Sequence, residues 1–549
     1  MSWLRVGLLG LGTLGVVGVA PPTLAAEEII INYGIFERSV AISDLEQFAA
    51  TGELTPQLAA YNNLLGFSPA QLEQIRQFLT APADLDNVAV AQFLYTEQGK
   101  LLLKQLARVV QTPSRQAGFS ALRAALILGA SSPDADFNLL NVLRVYPAEA
   151  IRVDLAAGLV IAQDINRAIL QSEQAIDLVQ TLSAEEAVAA PAVPTYGELL
   201  KLVQEERQYG VRRVNIVVPG LPNPVELYLP RVFPGRAGTP PNGFPLVIIS
   251  HGLGGTSESY AYLAGYLATG GIAVAAVEHA GSNDQQLQAL IEGRSNAIVP
   301  DEEFLRRPLD ISRTLDTLVG LQTTNPALRG QFDMTQIGLI GQSFGGYTAL
   351  ALAGAGFDLA SLGSQCPPNT LAFNPSLLLQ CQATRVGDPS NELADPRVRS
   401  IFIMNPIGSA LFGETGYGQI QVPLMVVSGA ADTVAPAFPE QIIPFTWLTA
   451  PDHFLLLVGQ GTHFSVIGDV AVGDQPLNIP PELIGPRPDL VQAYMQVMGL
   501  AFFKLTLGQD ERFRPVVEAA FAESLGAEPQ PLSLTTTLSS DRLNEALSP

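Results

Sequence analysis

Residues 338–350 read GLIGQSFGGYTAL, a short apolar run that enters three glycines around one serine and leaves directly into helix-forming residues. Gly341-Gln342-Ser343-Phe344-Gly345 fits G-x-S-x-G in the strand–turn–helix setting that a nucleophile elbow requires. A turn this tight brings the helix start against the strand, so side chains beside the serine would clash, and the serine is held in a strained conformation with its hydroxyl outward. The motif also arises by chance, as a small residue in a tight turn, so the rest of the chain has to decide.

Outward from the elbow, apolar runs of five to eight residues alternate with helical segments. FPLVIIS (244–250), GIAVAAVE (271–278), TQIGLIG (335–341), SIFIMN (400–405), VPLMVVSG (422–429) and HFLLLVG (453–459) read as buried strands, and a last helix runs from about Asp489 to Thr506. The pattern predicts a mostly parallel sheet covered on both faces, with VNIVVP and VELYLP as an antiparallel edge pair.

A serine hydroxyl needs a base, and in such a sheet the order is Ser, then acid, then His. The chain has four histidines, and His251 and His279 precede the serine. His453 begins the strand HFLLLVG, whereas His463 follows its end. A six-residue strand spans about 20 Å, so only His463 lies at the serine's edge. SGAADTVAP places Asp432 after the preceding strand at that edge, to accept the imidazole N–H and fix its tautomer. Asp452 lies on the His453 side, and Asp388 and Asp395 have no strand behind them. Two backbone amides are needed for the oxyanion: Phe344 at the helix N-terminus, and Leu253 in the glycine-rich loop HGLGG. His251 reads as a packing or hydrogen-bonding residue. The loops at 281–305 and 408–419 leave the same edge as walls or a lid.

HGLGG, VEHAGSND, GQSFGG, the Asp432 segment and GTHFS together resemble the α/β-hydrolase branch of platelet-activating-factor acetylhydrolases and dienelactone-hydrolase-like esterases, over about residues 212–506. The resemblance implies Ser343, Asp432 and His463 as triad and Leu253 and Phe344 as oxyanion amides; the chain is expected to use no cofactor or metal. Gln342 stands where the acetylhydrolases have histidine, and the insertion around Cys366 and Cys381 falls where the acyl pocket is shaped. The N-terminal region resembles an uncharacterised domain that precedes such hydrolases in photosynthetic bacteria.

That region, 27–182, reads as an all-helical accessory domain. Ser43-Asp44-Leu45-Glu46 reads as a capping box and Gly52 as a stop, and Thr55-Pro56 and Ser68-Pro69 each read as a cap followed by a first-turn proline. It carries no titratable cluster and is a candidate cap over the cleft. SAEEAVAAPAVPT (183–195) opens a linker and connecting helix over 183–211, the catalytic domain spans 212–510, and 511–549 reads as a partly flexible tail. Residues 1–26, with Arg5 and an apolar run from Val6 to Ala20, have the layout of a signal peptide cleaved after Ala25 or Ala26, which makes the protein exported, periplasmic or extracellular.

The chain has 549 residues, with 47% hydrophobic and 15% charged, so it folds around real cores. Its net charge of −22 disfavours nucleic acid as a partner and leaves only apolar contact with lipid surfaces open. Cys366 and Cys381, the only cysteines, are disulfide candidates in an exported protein. The reading is a serine hydrolase of carboxylic esters, lipid esters among them. An amidase, peptidase or lactone hydrolase with the same triad is the alternative, and a non-catalytic envelope-binding protein a further one.

Overall fold

The computed structural model describes residues 25–548 apart from 35, 84–86, 133–135, 191–193, 236, 367–373, 390–391, 469–470, 473–474 and 477–480. The signal-peptide reading therefore lies outside the described residues, except for its last positions. The chain forms two compact units. One takes the chain up to Leu85 together with Ala107–Ala156; the other takes Asp86–Leu106 and everything from Ala157.

The first unit is not all-helical. It contains a four-stranded sheet in the order β2-β1-β4-β3, from β1 (Glu28–Tyr33), β2 (Phe36–Ala41), β3 (Val110–Gln111) and β4 (Ala150–Asp154). EIIINY is rich in β-branched residues and supports extended backbone. Its parallel partner, opposite Glu28, starts at Ala150, which local periodicity cannot reveal. The helices carry the expected signals in part. Thr55 and Ser68 cap helices that begin at Pro56 and Pro69, and Gly52 ends the first helix at φ 75°. The expected capping box at Ser43 does not form: Ile42 N–H bonds Glu27 O at 2.9 Å, the helix starts at Ile42, and Glu46 pairs instead with Arg144.

The second unit is built on a nine-stranded sheet. Its strands are β5 (Gly210–Ile216), β6 (Val225–Arg231), β7 (Phe244–Ser250), β8 (Ala273–Val277), β9 (Phe332–Gln342), β10 (Val398–Met404), β11 (Leu424–Gly429) and β12 (His453–Val458), then, past the two-residue ladder of β13 (Ala471–Val472) with β14 (Gln475–Pro476), β15 (Leu532–Thr535). The order is β15-β12-β11-β10-β9-β7-β8-β6-β5. β7 to β12 run parallel, and the antiparallel pair β5–β6 closes one edge as expected. Alternation along each strand feeds two cores. Leu246, Ile248, Leu339 and Val426 face one layer, and Val247, Ile249, Ile340 and Val427 the other. With both faces covered, the strands read as continuous apolar runs.

Two expected boundaries shift. The segment read as a linker is mostly helix: Leu155–Ala189 runs through SAEEAVA, because alanine and glutamate are strong helix formers and nothing breaks the run before Pro191. The tail is also ordered, with Leu532 and Leu534 buried and β15 antiparallel to β12. The two features depend on each other. The Glu186 carboxylate accepts Thr536 N at 3.1 Å, Thr537 N at 3.2 Å and Thr537 Oγ1 at 2.7 Å, while buried Ser183 Oγ accepts Leu534 N at 3.0 Å.

A charged acceptor serving several donors is worth about 1.5–3 kcal/mol per well-made bond. Glu186→Ala is expected to lower the stability of the second unit by about 2–3 kcal/mol, read as a fall in the urea midpoint, with a smaller fall in Glu186→Gln.

Candidate active site

β9 ends at Gln342, and Ser343 follows at φ 54°, ψ −115°, with the helix Phe344–Leu352 beginning at the next residue. Positive φ in a non-glycine residue costs about 1–3 kcal/mol, so the surroundings must enforce it. They do so by close approach. A Cβ on Gly341 would lie 2.1 Å from Gly345 O, and one on Gly345 would lie 1.9 Å from Ser250 O. Ser343 N–H is held by Met404 O at 3.0 Å.

Asp432 lies three residues beyond β11. One carboxylate oxygen accepts Val434 N and Ala435 N, each at 2.8 Å, and the other accepts His463 Nδ1 at 2.7 Å. His463 follows β12 at the same edge. Both side chains are buried, and His463 lines the same cavity as Ser343. The structure thus brings together Ser343, Asp432 and His463. His453 sits at the opposite end of β12, its Nδ1 bonded to Ala450 O at 2.6 Å, beside Asp452 in a separate hollow of about 480 Å³. Asp395 is taken by Arg397 at 2.6 Å.

Asn405, which the sequence reading passed over, joins three loops. It follows β10 at φ 44°, accepts Gly429 N at 2.9 Å on Oδ1, and donates from Nδ2 to Thr462 O at 3.1 Å and His463 O at 3.3 Å. Asparagine tolerates left-handed backbone better than other side chains, so Asn-Pro directly after SIFIM was a readable sign. Gln342 Nε2 also donates to His463 O, at 3.2 Å, so this residue holds the histidine loop.

Leu253 lines the cavity, and its amide belongs to a peptide whose carbonyl is fixed. Gly252 O accepts His251 Nδ1 at 2.7 Å and Gly255 N at 3.2 Å. In a trans peptide the N–H points opposite the carbonyl, so these bonds set the direction of Leu253 N–H. His251 Nε2 accepts His279 N at 3.0 Å, so both ring nitrogens are used and the ring is neutral; burial and the Arg307 charge hold its pKa well below the usual value. The amide of Phe344 opens its helix and has no intrahelical partner.

Below the elbow lies a buried cation with no sequence signature. Arg307 donates to Thr348 Oγ1 at 3.1 Å, Ser282 Oγ at 2.6 Å, Ser250 Oγ at 3.1 Å and the His251 carbonyl, and its guanidinium lies 4.6 Å from the Phe344 ring centre. It joins the strand end, the loop and the elbow helix from beneath. Burial lowers its pKa to about 10, so it stays charged. Ser250, His279 and Asp310 form a second Ser-His-Asp chain, at 3.0 Å and 3.3 Å, but Ser250 is buried, bonded to Arg307 and away from the cavity.

The cavity over Ser343 measures about 240 Å³, and its walls are mostly apolar, including Tyr260, Ile298, Ile407 and Phe464. Segment 375–379 of the insertion also reaches it, and Cys366 and Cys381 are joined by a disulfide with Cα atoms 5.7 Å apart. The buried Glu440 carboxylate fastens that insertion, accepting Asn374 Nδ2, Gln380 Nε2 at 2.9 Å and Ser409 Oγ at 2.7 Å. Of the expected walls, 281–305 contributes Ile298, whereas the helix Ser409–Gly418 is buried in the core. Its apolar side chains Ala410, Leu411 and Phe412 make it a packing element and not a lid.

Comparison with known families gives two matches. Residues 25–154 match the family described as an alpha/beta hydrolase of unknown function, and residues 226–305 match platelet-activating factor acetylhydrolase, isoform II. The second match covers β6 to β8 and the Leu253 loop and stops short of Ser343.

Burial pushes the Asp310 carboxyl up to about 6, with Arg313 and Arg307 opposing. A carboxyl with a higher pKa folded than unfolded keeps its proton longer in the folded state. The contribution of Asp310 to stability is therefore fully present below about pH 4 and is lost as pH rises through about 6. In Asp310→Asn this part of the slope should vanish, with a gain of about 1–2 kcal/mol at pH 7, read from urea midpoints between pH 4 and 7.

Proposed function

We propose that this α/β hydrolase, similar over residues 226–305 to the platelet-activating factor acetylhydrolases, is a serine hydrolase that cleaves carboxylic esters through an acyl-enzyme. The observation that carries the reading is the His463 Nδ1–Asp432 contact of 2.7 Å, with His463 lining the same cavity as Ser343 on its strained turn. Ser343 Oγ attacks the acyl carbonyl while His463 Nε2 takes its proton. Asp432, already holding two backbone amides, stabilises the imidazolium and fixes the tautomer. The negative oxygen of the tetrahedral intermediate rests on the Leu253 and Phe344 amides. His463 returns the proton to the departing alcohol oxygen. Water, deprotonated by the same imidazole, then releases the acid and regenerates Ser343.

The cavity favours a neutral acyl group. Its described lining contains no Lys, Arg, Asp or Glu, and apolar residues dominate. Each methylene buried there is worth about 0.8 kcal/mol, so binding energy comes from the chain and not from a charged headgroup. Neutral esters, lipid esters with short or modified acyl chains included, suit such a site.

We further propose that the protein is exported. The disulfide between Cys366 and Cys381 supports an oxidising compartment. Among the described residues no helix is long and apolar enough to cross a membrane. N-terminal sequencing of protein recovered from an exporting host is expected to begin at Ala26 or Glu27, and a retained Met1 would count against export.

Ser343→Ala should lower kcat on p-nitrophenyl butyrate by at least about a thousandfold, with the fold unchanged by circular dichroism. Asp432→Asn should lose about a hundredfold or more through the wrong tautomer. Full activity in Ser343→Ala would end the proposal.

A further inference from the structure

The N-terminal segment 87–106 stands apart from its sequence neighbours. The residues on either side belong to the first unit, whereas Asp86–Leu106 belongs to the hydrolase unit. It makes a helical corner from the helix Asn87–Tyr95 and the start of the helix Glu97–Val109. Thr96 builds the corner: its Oγ1 donates to Phe93 O at 2.6 Å and accepts Gly99 N at 3.1 Å. A Cβ on Gly99 would lie 2.1 Å from Phe93 O, so the second helix can pass this close to Phe93 only at a glycine.

The corner is anchored on the hydrolase side. Val90, Leu94 and Leu103 are buried, and Gln92 lies against Gly293, where a Cβ would meet its Nε2 at 2.9 Å. Gln98 is 4% exposed, and its Nε2 donates to Leu378 O at 3.4 Å. Phe93 and Gln98 line the Ser343 cavity together with Leu378 and Leu379 of the disulfide-closed insertion.

We propose that residues 87–106 form the wall that sets the acyl-chain length accepted at Ser343, with Phe93 as the specificity-determining side chain and Gln98 tying this wall to the insertion. This rests on the ester-hydrolase reading above. The sheet supplies Ser343, Asp432, His463 and the two amides; neither the corner nor the insertion is part of it. Phe93 is one of the apolar side chains that line this cavity, the space open to an acyl chain on Ser343. Shortening it opens space for further methylenes, and each one buried is worth about a fourfold gain.

The test uses the full chain and two opposed variants. With p-nitrophenyl esters of two to twelve carbons, Phe93→Ala should move the kcat/KM optimum to longer chains and raise the octanoate-to-acetate ratio by about tenfold or more. Phe93→Trp should move it to shorter chains. A small fluorophosphonate should still label Ser343 in both variants, because the triad is untouched.

A second measurement does not need catalysis. In the Ser343→Ala background, thermal-shift titration with 1-alkanols of four to ten carbons reads the cavity directly, and Phe93→Ala should again favour longer chains. If neither the ester profile nor the alkanol profile moves in either variant, the wall is overturned. If the parent hydrolyses no ester and takes no fluorophosphonate while the alkanol profile shifts, the wall stands and the ester-hydrolase reading falls.

Discussion

Gly345 approaches the end of β7 so closely that a β-carbon would lie 1.9 Å from Ser250 O. This contact brings the elbow helix against the strand that carries the Leu253 loop. It places the residue after Ser343 beside the loop that carries Leu253, and these two residues hold the amides proposed for the oxyanion. Arg307 then secures the junction from below, through Ser250 Oγ, the His251 carbonyl and Thr348. A buried cation is costly unless it is fully bonded, and removing one side of such an arrangement leaves charges uncompensated. The elbow, the loop and the cation therefore form one arrangement, and the strain at Ser343 persists because all three enforce it.

The parts of this fold that could be read from sequence were those with a local cause. Continuous apolar runs marked the parallel strands because both sheet faces are covered. Chain order and strand direction separated His463 from His453, and the structure does place these two at opposite ends of β12. The parts that escaped depend on distant partners. β4 pairs with a strand more than a hundred residues earlier, β15 is a strand only because the edge of β12 is free, and the helix through SAEEAVA is continuous with a helix already buried at Ser183. Arg307 sits among ordinary helix residues in RRPLD, and only its burial distinguishes it. The roles of Phe93 and Gln98 likewise depend on a corner that belongs to a different unit from its sequence neighbours.

The two family matches cover complementary ground. The platelet-activating factor acetylhydrolase match falls on β6 to β8, where the glycine loop and the buried histidines lie, and the other match covers residues 25–154, which contain no strand of the nine-stranded sheet. It does contain the corner that lines the cavity. The cavity over Ser343 thus draws lining residues from both matched stretches, Phe93 and Gln98 from one and Tyr260 and Ile298 from the other.

The position of β15 has a consequence for how the molecule is made. The sheet has its earliest strand, β5, at one edge and its last, β15, at the other. Until residues 532–535 pair with it, the open side of β12 presents unpaired amides and carbonyls over an apolar face, the kind of edge that recruits strands from other chains. A chain lacking this strand would already hold Ser343, Asp432 and His463, yet would leave that edge open to self-association. Adding the last strand covers the edge of β12 and leaves the four-residue β15 as the outer strand on that side.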